Sequence, residues 1–248
     1  MRERIRREVE ETRILLRCVP PWVLSFVVMS FVTMNLMANK SIRGLPEWLA
    51  LDSGMLVSWV SFLAMDVLVK RFGPKAATRI TVVGVVFNLL ACSMFFICAA
   101  VPGYWGESFA YEGLVANVVN QSLDATFGGT WYVLFGSTVS ILVSSVTNNS
   151  LNHAIGRLLR NRRDSFALYA ARSYISTLAG QFVDNLVFAL IVSVNFFGWT
   201  MTQAVTCAVT GSLAECVFEV VFFPIGYRIA RSWEKNGVGK EYLDYVGE

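Results

Sequence analysis

Charged residues are scarce in this sequence, and their scarcity excludes a soluble globular protein with an ordinary surface. Only 16% of the 248 residues are Asp, Glu, Lys or Arg, whereas about a quarter are charged in soluble domains. Hydrophobic residues make up 55% of the chain and aromatic residues 13%. The composition therefore predicts a membrane protein, whose surface faces lipid over most of its area.

The residue types that build metal centres and disulfide frameworks are also few. The five cysteines form no CxxC pair, and His153 is the only histidine, so the sequence shows neither a metal site nor a disulfide framework. A phosphate-binding glycine loop and a Ser-His-Asp set are missing too. We therefore predict no catalytic residues, no cofactor and no enzyme activity. Any active transport must be secondary or driven by a separate subunit.

What the sequence does contain is a series of long apolar runs. Six of them have about the 20-residue length of a helix that crosses a bilayer. They lie at Pro20–Ala38, Leu51–Val69, Ile80–Val101, Trp131–Asn152, Leu168–Asn195 and Thr200–Ile229. We predict a basic N-terminal segment over residues 1–19, a six-helix membrane domain over residues 20–229 and a tail over residues 230–248.

The basic residues lie on one side of this arrangement. Arg and Lys are concentrated in the N-terminal segment, in the loops after the second and fourth runs and in the tail, whereas the loop Pro102–Thr130 contains none. By the positive-inside rule both termini are cytoplasmic. The net charge of +3 reflects this asymmetry, so we predict no nucleic-acid partner. The loop over residues 104–129 is expected to form an interfacial helix or lid at the outer face.

Polar side chains inside the fifth run mark the candidate site. Thr177, Gln181, Asp184 and Asn185 fall on one stripe of a helix within an apolar segment. Such groups cannot face lipid without a large desolvation cost. They form either a polar substrate site or a network that holds helices together, and we favour the substrate site.

The fourth run carries a related polar pattern. When the two runs are aligned, Ser137, Ser140, Ser145, Asn148 and Asn149 match Ser173, Ser176, Gln181, Asp184 and Asn185. Because consecutive spans cross in opposite directions, this repeat favours an inverted-repeat transporter with its site near the midplane. Close packing of helices through small serine side chains is the alternative.

The sixth run adds two carboxylates, Glu215 and Glu219, one helical turn apart and therefore on one face. Neighbouring carboxylates in a low dielectric repel each other, so at least one should be protonated or paired with a cation. Arg172 is a candidate partner, and a structural ion pair is the alternative to substrate binding. Asp66, near the end of the second run, is expected in a basic cytoplasmic turn around Gly73.

Four segments carry a family likeness: Met34–Lys40, Phe62–Asp66, Lys70–Lys75 and Ser176–Asp184. In these residues the chain resembles the queuosine precursor transporters of the vitamin-uptake type, and the likeness covers nearly the whole membrane part. The resemblance implies a multi-pass protein of the bacterial inner membrane. Its substrate would be a 7-deazaguanine, such as 7-cyano- or 7-aminomethyl-7-deazaguanine, or queuine. The chain departs from many members at Ser145 and Asn148, where Gln and Asp are common, and at Glu215, near which Lys is common.

The polar residues suit such a purine-like ligand. A 7-deazaguanine presents a ring N–H beside an exocyclic amine, and a carboxylate can accept both. Its carbonyl needs donors, and its flat ring would stack on an aromatic side chain. The candidate substrate-binding residues are Asn39, Ser145, Asn148, Gln181, Asp184, Asn185, Glu215 and Glu219. The lipid bilayer is the other partner, and a homodimer is a further hypothesis.

The competing hypothesis is a substrate-binding subunit of an energy-coupling-factor importer for a vitamin-like compound. Such subunits dock their membrane partner through a small-residue groove in the first helix, typically Ala-x-x-x-Ala, which the segment Val23–Asn35 lacks. A third class is an intramembrane enzyme, which the lack of a nucleophile–base pair and of a metal set disfavours, or a structural scaffold that binds no ligand. The leading prediction is an all-α polytopic membrane protein with six transmembrane helices and an inverted repeat, acting as a secondary transporter.

Overall fold

The structure, a computed structural model, describes residues 2–105, 114–128, 131–158 and 166–247. Nearly all of this part of the chain is helical, which confirms the predicted all-α fold. The helices are α1 (Arg2–Cys18), α2 (Pro21–Ala38), α3 (Met55–Ala100), α4 (Leu114–Gly128), α5 (Trp131–Leu158), α6 (Phe166–Phe188), α7 (Val194–Phe196), α8 (Met201–Lys235) and α9 (Lys240–Val246).

Five helical stretches are long and apolar enough to cross a membrane, which confirms a multi-pass membrane protein. They are Pro21–Ala38, Met55–Ala100, Val118–Leu158, Ala170–Phe196 and Met201–Lys235. Large apolar side chains on them are exposed at the protein surface, among them Phe87 and Met94 on α3 and Val217 and Val221 on α8. In a bilayer these side chains face lipid, where their exposure has no hydrophobic cost.

α3 is a helical hairpin rather than one straight helix. A straight helix of 46 residues would be about 70 Å long, more than twice the ~30 Å hydrocarbon core of a bilayer. Gly73 interrupts α3 with φ 81° and ψ 168°, angles that essentially only glycine adopts. Thr81 Oγ1 lies 3.3 Å from Met65 Sδ, so the chain reverses at Gly73. The reversal supports six crossings, although the count of six spans itself stays a prediction.

Two sequence-based boundaries change in the structure. The turn expected between the second and third runs shrinks to Gly73, because the residues on both sides are helical. Asp66 was expected at this turn, and that expectation is wrong, since Asp66 lies inside the helix and is fully buried. α5 and α8 run on to Leu158 and Lys235. Hydropathy marks only the part of a helix that lipid surrounds, so it underestimates helices that continue into water.

α5 and α6 form the antiparallel pair that carries most of the buried polar side chains. Contacts between α5 and α6, together with the helical turn that follows α6, join Gly136 to Val192, Ser144 to Asp184 and Asn148 to Gly180. As the residue number rises along α5 from 136 to 148, the number of the contacting residue falls from 192 to 180. The two helices therefore cross in opposite directions. A Cβ added at Gly180 would lie 2.9 Å from Asn148 Cβ, because small residues let the helices approach closely. An inverted repeat requires this antiparallel crossing, while the internal symmetry stays a prediction.

The end of α6 departs from regular α-helix. The chain continues through a π-helical turn, Ala189–Ser193, into α7, and such turns are frequent at functional sites. It then turns at Gly198, whose φ is 71°. α8 begins with a capping box in which the side chains of Thr200 and Gln203 each accept a hydrogen bond from the other's backbone N–H. A defined turn therefore forms the expected hairpin of the last two spans.

α4 lies in the loop that was expected to contain a helix or lid. The backbone N–H of Trp105 donates to Asn120 Oδ1, and its indole N–H donates to Asp124 Oδ1, both at 2.9 Å. The Trp105 ring also stacks on Phe127 with 4.9 Å between centroids. These contacts hold α4 against the chain that leaves α3. Residues 106–113, 129 and 130 of this loop lie outside the described residues, and its place at the membrane surface stays a prediction.

Both termini lie at one end of the bundle, which we call the basic end. α1 and α9 pack on each other and on the chain around Gly73. The Glu11 carboxylate is central here: it pairs with Arg79 and with Lys75, the latter at 3.2 Å, and accepts a hydrogen bond from the Tyr242 hydroxyl at 3.3 Å. The shared side of the two termini is therefore confirmed, whereas its cytoplasmic location stays a prediction.

A disulfide tests the register of α5 and α6. A Cβ built on Gly136 lies 3.6 Å from Val192 Cβ, within the ~3.5–4.5 Å that a disulfide spans. With the five native cysteines replaced by serine, Gly136→Cys combined with Val192→Cys should cross-link on mild oxidation, as detected by mass spectrometry. Gly136→Cys combined with Phe188→Cys, one turn away, is the control. Equal cross-linking of the control would contradict the register.

The ion pairs of Glu11 predict a pH-dependent stability. The hydrogen bond from Arg79 lowers the pKa of the Glu11 carboxyl, and burial opposes this only in part. A group with a lowered pKa stabilises the fold above its unfolded-state pKa, and this contribution is lost as the pH falls through its folded-state pKa. Glu11→Gln should lower the free energy of unfolding at pH 7 by about 2 kcal/mol. The difference from the wild type should shrink below about pH 4.

The matched control is Glu241→Gln, since Glu241 pairs with Arg17 at the same end but both side chains are more than half exposed, at 56% and 60%. An exposed pair contributes about 0–1 kcal/mol, so this variant should barely differ from the wild type. Thermal unfolding of the detergent-solubilised proteins across the pH range measures both effects. Equal losses in the two variants would show that Glu11 has no special role.

Candidate substrate site

The cavity cluster consists of Ser58, Asp184, Asn185 and Glu215, which α3, α6 and α8 bring together. Ser58 Oγ donates a hydrogen bond to Glu215 Oε1, and Asn185 Nδ2 donates to Glu215 Oε2 at 3.1 Å. Both oxygens of this buried carboxyl group therefore have a donor, as burial away from water requires. Gly211 on α8 leaves room for the Asn185 amide, which would lie 3.3 Å from an added Cβ.

Asp184 is the accessible carboxylate of the cavity cluster. Its Oδ1 accepts a hydrogen bond from Ser144 Oγ at 3.0 Å, and the residue is half-buried, whereas Glu215 is buried. Asp184, Asn185 and Glu215 line one cavity together with Ser58 and Phe188. The structure therefore brings Asp184, Asn185 and Glu215 together, whereas Asn148 and Gln181, which were expected to line the same cavity, do not line it.

This cavity is small. Its volume is about 40 Å³, room for about three water molecules and far below the ~300–1,000 Å³ of typical ligand pockets. A second space of about 10 Å³ borders Asp184 from the side of Ser145. The structure is thus closed around its polar residues, and a purine-sized ligand requires the surrounding helices to move apart.

Asn148 and Gln181, which we call the amide pair, are buried without partners. Both residues are 0% exposed, and neither the nitrogen nor the oxygen of either side chain has a hydrogen-bond partner among the described residues. Asn148 lies against Gly180, the neighbour of Gln181. Each unpaired buried polar group costs about 1–3 kcal/mol. Because native proteins rarely keep such groups, the amide pair has hydrogen-bonding capacity available for a ligand.

Two further predicted residues lie apart from this cavity. The Asn39 amide donates to the carbonyl oxygens of Asn35 at 3.3 Å and Leu36 at 3.4 Å, so it caps the end of α2. Glu219 lies one turn along α8 from Glu215 and belongs to a separate cluster. Each of them therefore has local partners and does not line this cavity.

The Asp66 cluster consists of Asp66, Asn152, Ser173, Thr177 and Glu219. Asp66 accepts hydrogen bonds from Asn152 Nδ2 at 2.8 Å, from Thr177 Oγ1 at 3.0 Å and from Ser173 Oγ. Ser173 Oγ also lies 3.2 Å from Glu219 Oε1. The cluster joins four helices, α3, α5, α6 and α8, and all five side chains are fully buried.

The polar groups are therefore arranged in layers along the bundle. Asp184 and Thr177 are seven residues apart on α6, which corresponds to about 10 Å along a helix. Gln181 lies between them on α6, and Asn148 lies between Ser144 and Asn152 on α5. The amide pair thus separates the cavity cluster from the Asp66 cluster, which is nearer the basic end.

Sequence reasoning missed Ser58 and Asp66. A carboxylate shortly before Lys70 and Arg71 at the end of an apolar run resembles a turn residue. The available signal was periodicity, because Ser58, Phe62 and Asp66 recur every four residues on one helix face. That face is buried against the rest of the bundle.

Apolar spans around a closed, layered set of polar groups are typical of membrane transporters. The family model described as "Putative vitamin uptake transporter" matches residues 52–229, a segment that contains both polar clusters and the amide pair. Because the match covers more than half of the chain, the protein belongs to this family. The predicted resemblance to transporters of the vitamin-uptake type is therefore confirmed. The description of the family is that of a transporter. Neither a curated protein nor a solved structure matches the chain.

Proposed function

We propose that this protein imports a queuosine precursor, a 7-deazaguanine base, across the bacterial inner membrane as a secondary transporter. The family match supports vitamin-type uptake by a multi-pass membrane protein, and the particular base is our proposal. The observation that carries the proposal is the amide pair. The buried side chains of Asn148 and Gln181 have no hydrogen-bond partner among the described residues, and they lie on the two helices that meet at Asp184.

The chemistry of these groups matches the edge of the base. The ring N–H and the exocyclic amine of a 7-deazaguanine lie side by side, so a carboxylate such as Asp184 can accept from both. Its carbonyl oxygen requires a donor, which the Gln181 or Asn148 amide supplies. Phe188, which lines the cavity, offers an aromatic face for the flat ring. A cationic aminomethyl substituent would be stabilised by the second carboxylate, Glu215.

The small cavity implies that binding changes the helix packing. A base that reaches both Asp184 and the amide pair must displace the close contact of Asn148 with Gly180. The π-helical turn at Ala189–Ser193 lies one turn beyond Asn185 and is a place where α6 can adjust its register. Asp184 is the more accessible end of the layered polar groups, so we place first contact with the base there.

Asp184→Asn tests the carboxylate. The substitution keeps the shape but turns one acceptor into a donor that faces the donors of the base, at a cost of about 1–3 kcal/mol. Uptake of a labelled 7-deazaguanine by bacteria without their own precursor synthesis and transporter should fall roughly tenfold to a hundredfold. Asp124→Asn is the matched control, because Asp124 lies in α4 and bonds Trp105. Normal uptake by Asp184→Asn would overturn this assignment.

Gln181→Met tests whether the Gln181 side chain binds the ligand or holds helices together. Methionine has a similar shape and removes an amide that has no partner, so the thermal stability should stay equal or rise. Uptake of the base should nevertheless fall at least tenfold. A residue that holds helices together would behave in the opposite way and lose stability first.

Gln203→Met is the control for this experiment. Gln203 forms the capping box of α8 and donates to the Glu47 carbonyl at 2.8 Å. Its loss should therefore lower stability by about 1 kcal/mol and leave uptake nearly unchanged. If Gln181→Met instead resembled Gln203→Met, the amide pair would be structural.

Secondary transport is a separate part of the proposal. The reconstituted protein alone should exchange the base across a membrane, because no ATPase subunit is required. Activity that appears only after co-purification with ATPase subunits would show an energy-coupling-factor importer instead.

A further inference from the structure

The Asp66 cluster buries two carboxyl groups around one hydroxyl. Asp66 and Glu219 are both 0% exposed, and Ser173 Oγ lies within hydrogen-bond distance of an oxygen of each. A serine hydroxyl has one proton to donate. Ser173 can therefore stabilise a negative charge on only one of the two carboxyl groups at a time.

The hydrogen-bond donors of the cluster are divided unequally. Asp66 accepts hydrogen bonds from Asn152 and Thr177 in addition to the one from Ser173. Glu219 Oε2, in contrast, has no donor among the described residues. A buried carboxylate oxygen without a donor is strongly unfavourable. The Asn152 side chain enters the cluster, because its Nδ2 donates to Asp66. Its Oδ1 is a second buried acceptor that has no donor in the described part of the chain. Both acceptors lack a hydrogen-bond donor, and a proton on the Glu219 carboxyl group removes that need at Oε2.

Other titratable groups surround this cluster. Tyr174 and Cys216 lie near enough to Glu219 to interact with its charge. Lys70 lies one turn along α3 from Asp66, Arg172 precedes Ser173 on α6, and His153 follows Asn152 on α5. The three donors around Asp66 stabilise a negative charge on Asp66, whereas Glu219 has no donor at Oε2 among the described residues. The proton then belongs to Glu219.

We propose that Asp66 and Glu219 share one exchangeable proton and that this proton is the coupling ion of transport. The proposal rests on the import function proposed above. Glu219 and Glu215 are one turn apart on α8, while Ser173 and Asp184 lie on α6. A movement of α6 against α8 that opens the cavity also changes the distance from Ser173 to Glu219. Substrate entry and proton release toward the basic end are thereby linked.

Assays on the protein reconstituted in liposomes distinguish net transport of the base from exchange of the base across the membrane. Glu219→Gln keeps an uncharged group of similar shape that cannot release a proton. Accumulation of the labelled base driven by a pH gradient should fall at least tenfold in this variant. Exchange of labelled for unlabelled base, which moves no net proton, should stay within about twofold of the wild type. Asp124→Asn should resemble the wild type in both assays.

A pH-sensitive dye inside wild-type vesicles provides the second measurement, and it should show protons entering together with the base. Normal accumulation by Glu219→Gln, loss of its exchange together with its accumulation, no proton entry in the wild type, or accumulation driven by sodium without a pH gradient would each overturn the coupling proton. In those cases wild-type exchange of the base still supports the proposed function. Absence of wild-type exchange would overturn both.

Discussion

The hydrogen bonds to Asp66 are the interaction on which the bundle depends most. A carboxylate inside the hydrocarbon region can be solvated only by protein, and Asp66 obtains its three donors from α5 and α6. These helices must therefore meet α3 at one depth and in one orientation. Glu219 brings α8 to the same point through Ser173. A few buried polar groups that bond across helices thus fix the helix register that nonspecific apolar packing leaves open.

Buried polar groups of the bundle differ in whether they have hydrogen-bond partners. Glu215 has a donor for each of its oxygens, from Ser58 and Asn185, and this satisfied pairing positions α8 beside α6. Asn148 and Gln181 are equally deep, yet their amides have no partner in the described part of the chain. Selection for stability alone favours apolar side chains at such positions. Under the proposed function, a ligand completes their hydrogen bonds during part of the transport cycle.

Much of the fold follows from local sequence signals. The apolar runs predict the helices, Gly73 and Pro74 predict the reversal in α3, and the polar stripe of α6 predicts that Asp184 and Asn185 face protein. Pairings between distant helices could not be predicted in this way, because they depend on which faces meet. Glu215 and Glu219 share one stripe, yet one bonds Ser58 and the other lies with Asp66. Asn39 shows a second limit of sequence analysis. A ligand-binding amide and a helix cap have the same sequence pattern, so the sequence alone does not distinguish them.

The most direct test of the account is a structure of the protein with a bound 7-deazaguanine, determined by electron cryomicroscopy in a lipid nanodisc. The base should lie between α5, α6 and α8, with its ring N–H and amine about 2.7–3.2 Å from the Asp184 carboxylate. At least one amide of the pair should donate to its carbonyl oxygen. A base bound elsewhere, with Asn148 and Gln181 still lacking partners, would contradict the central claim.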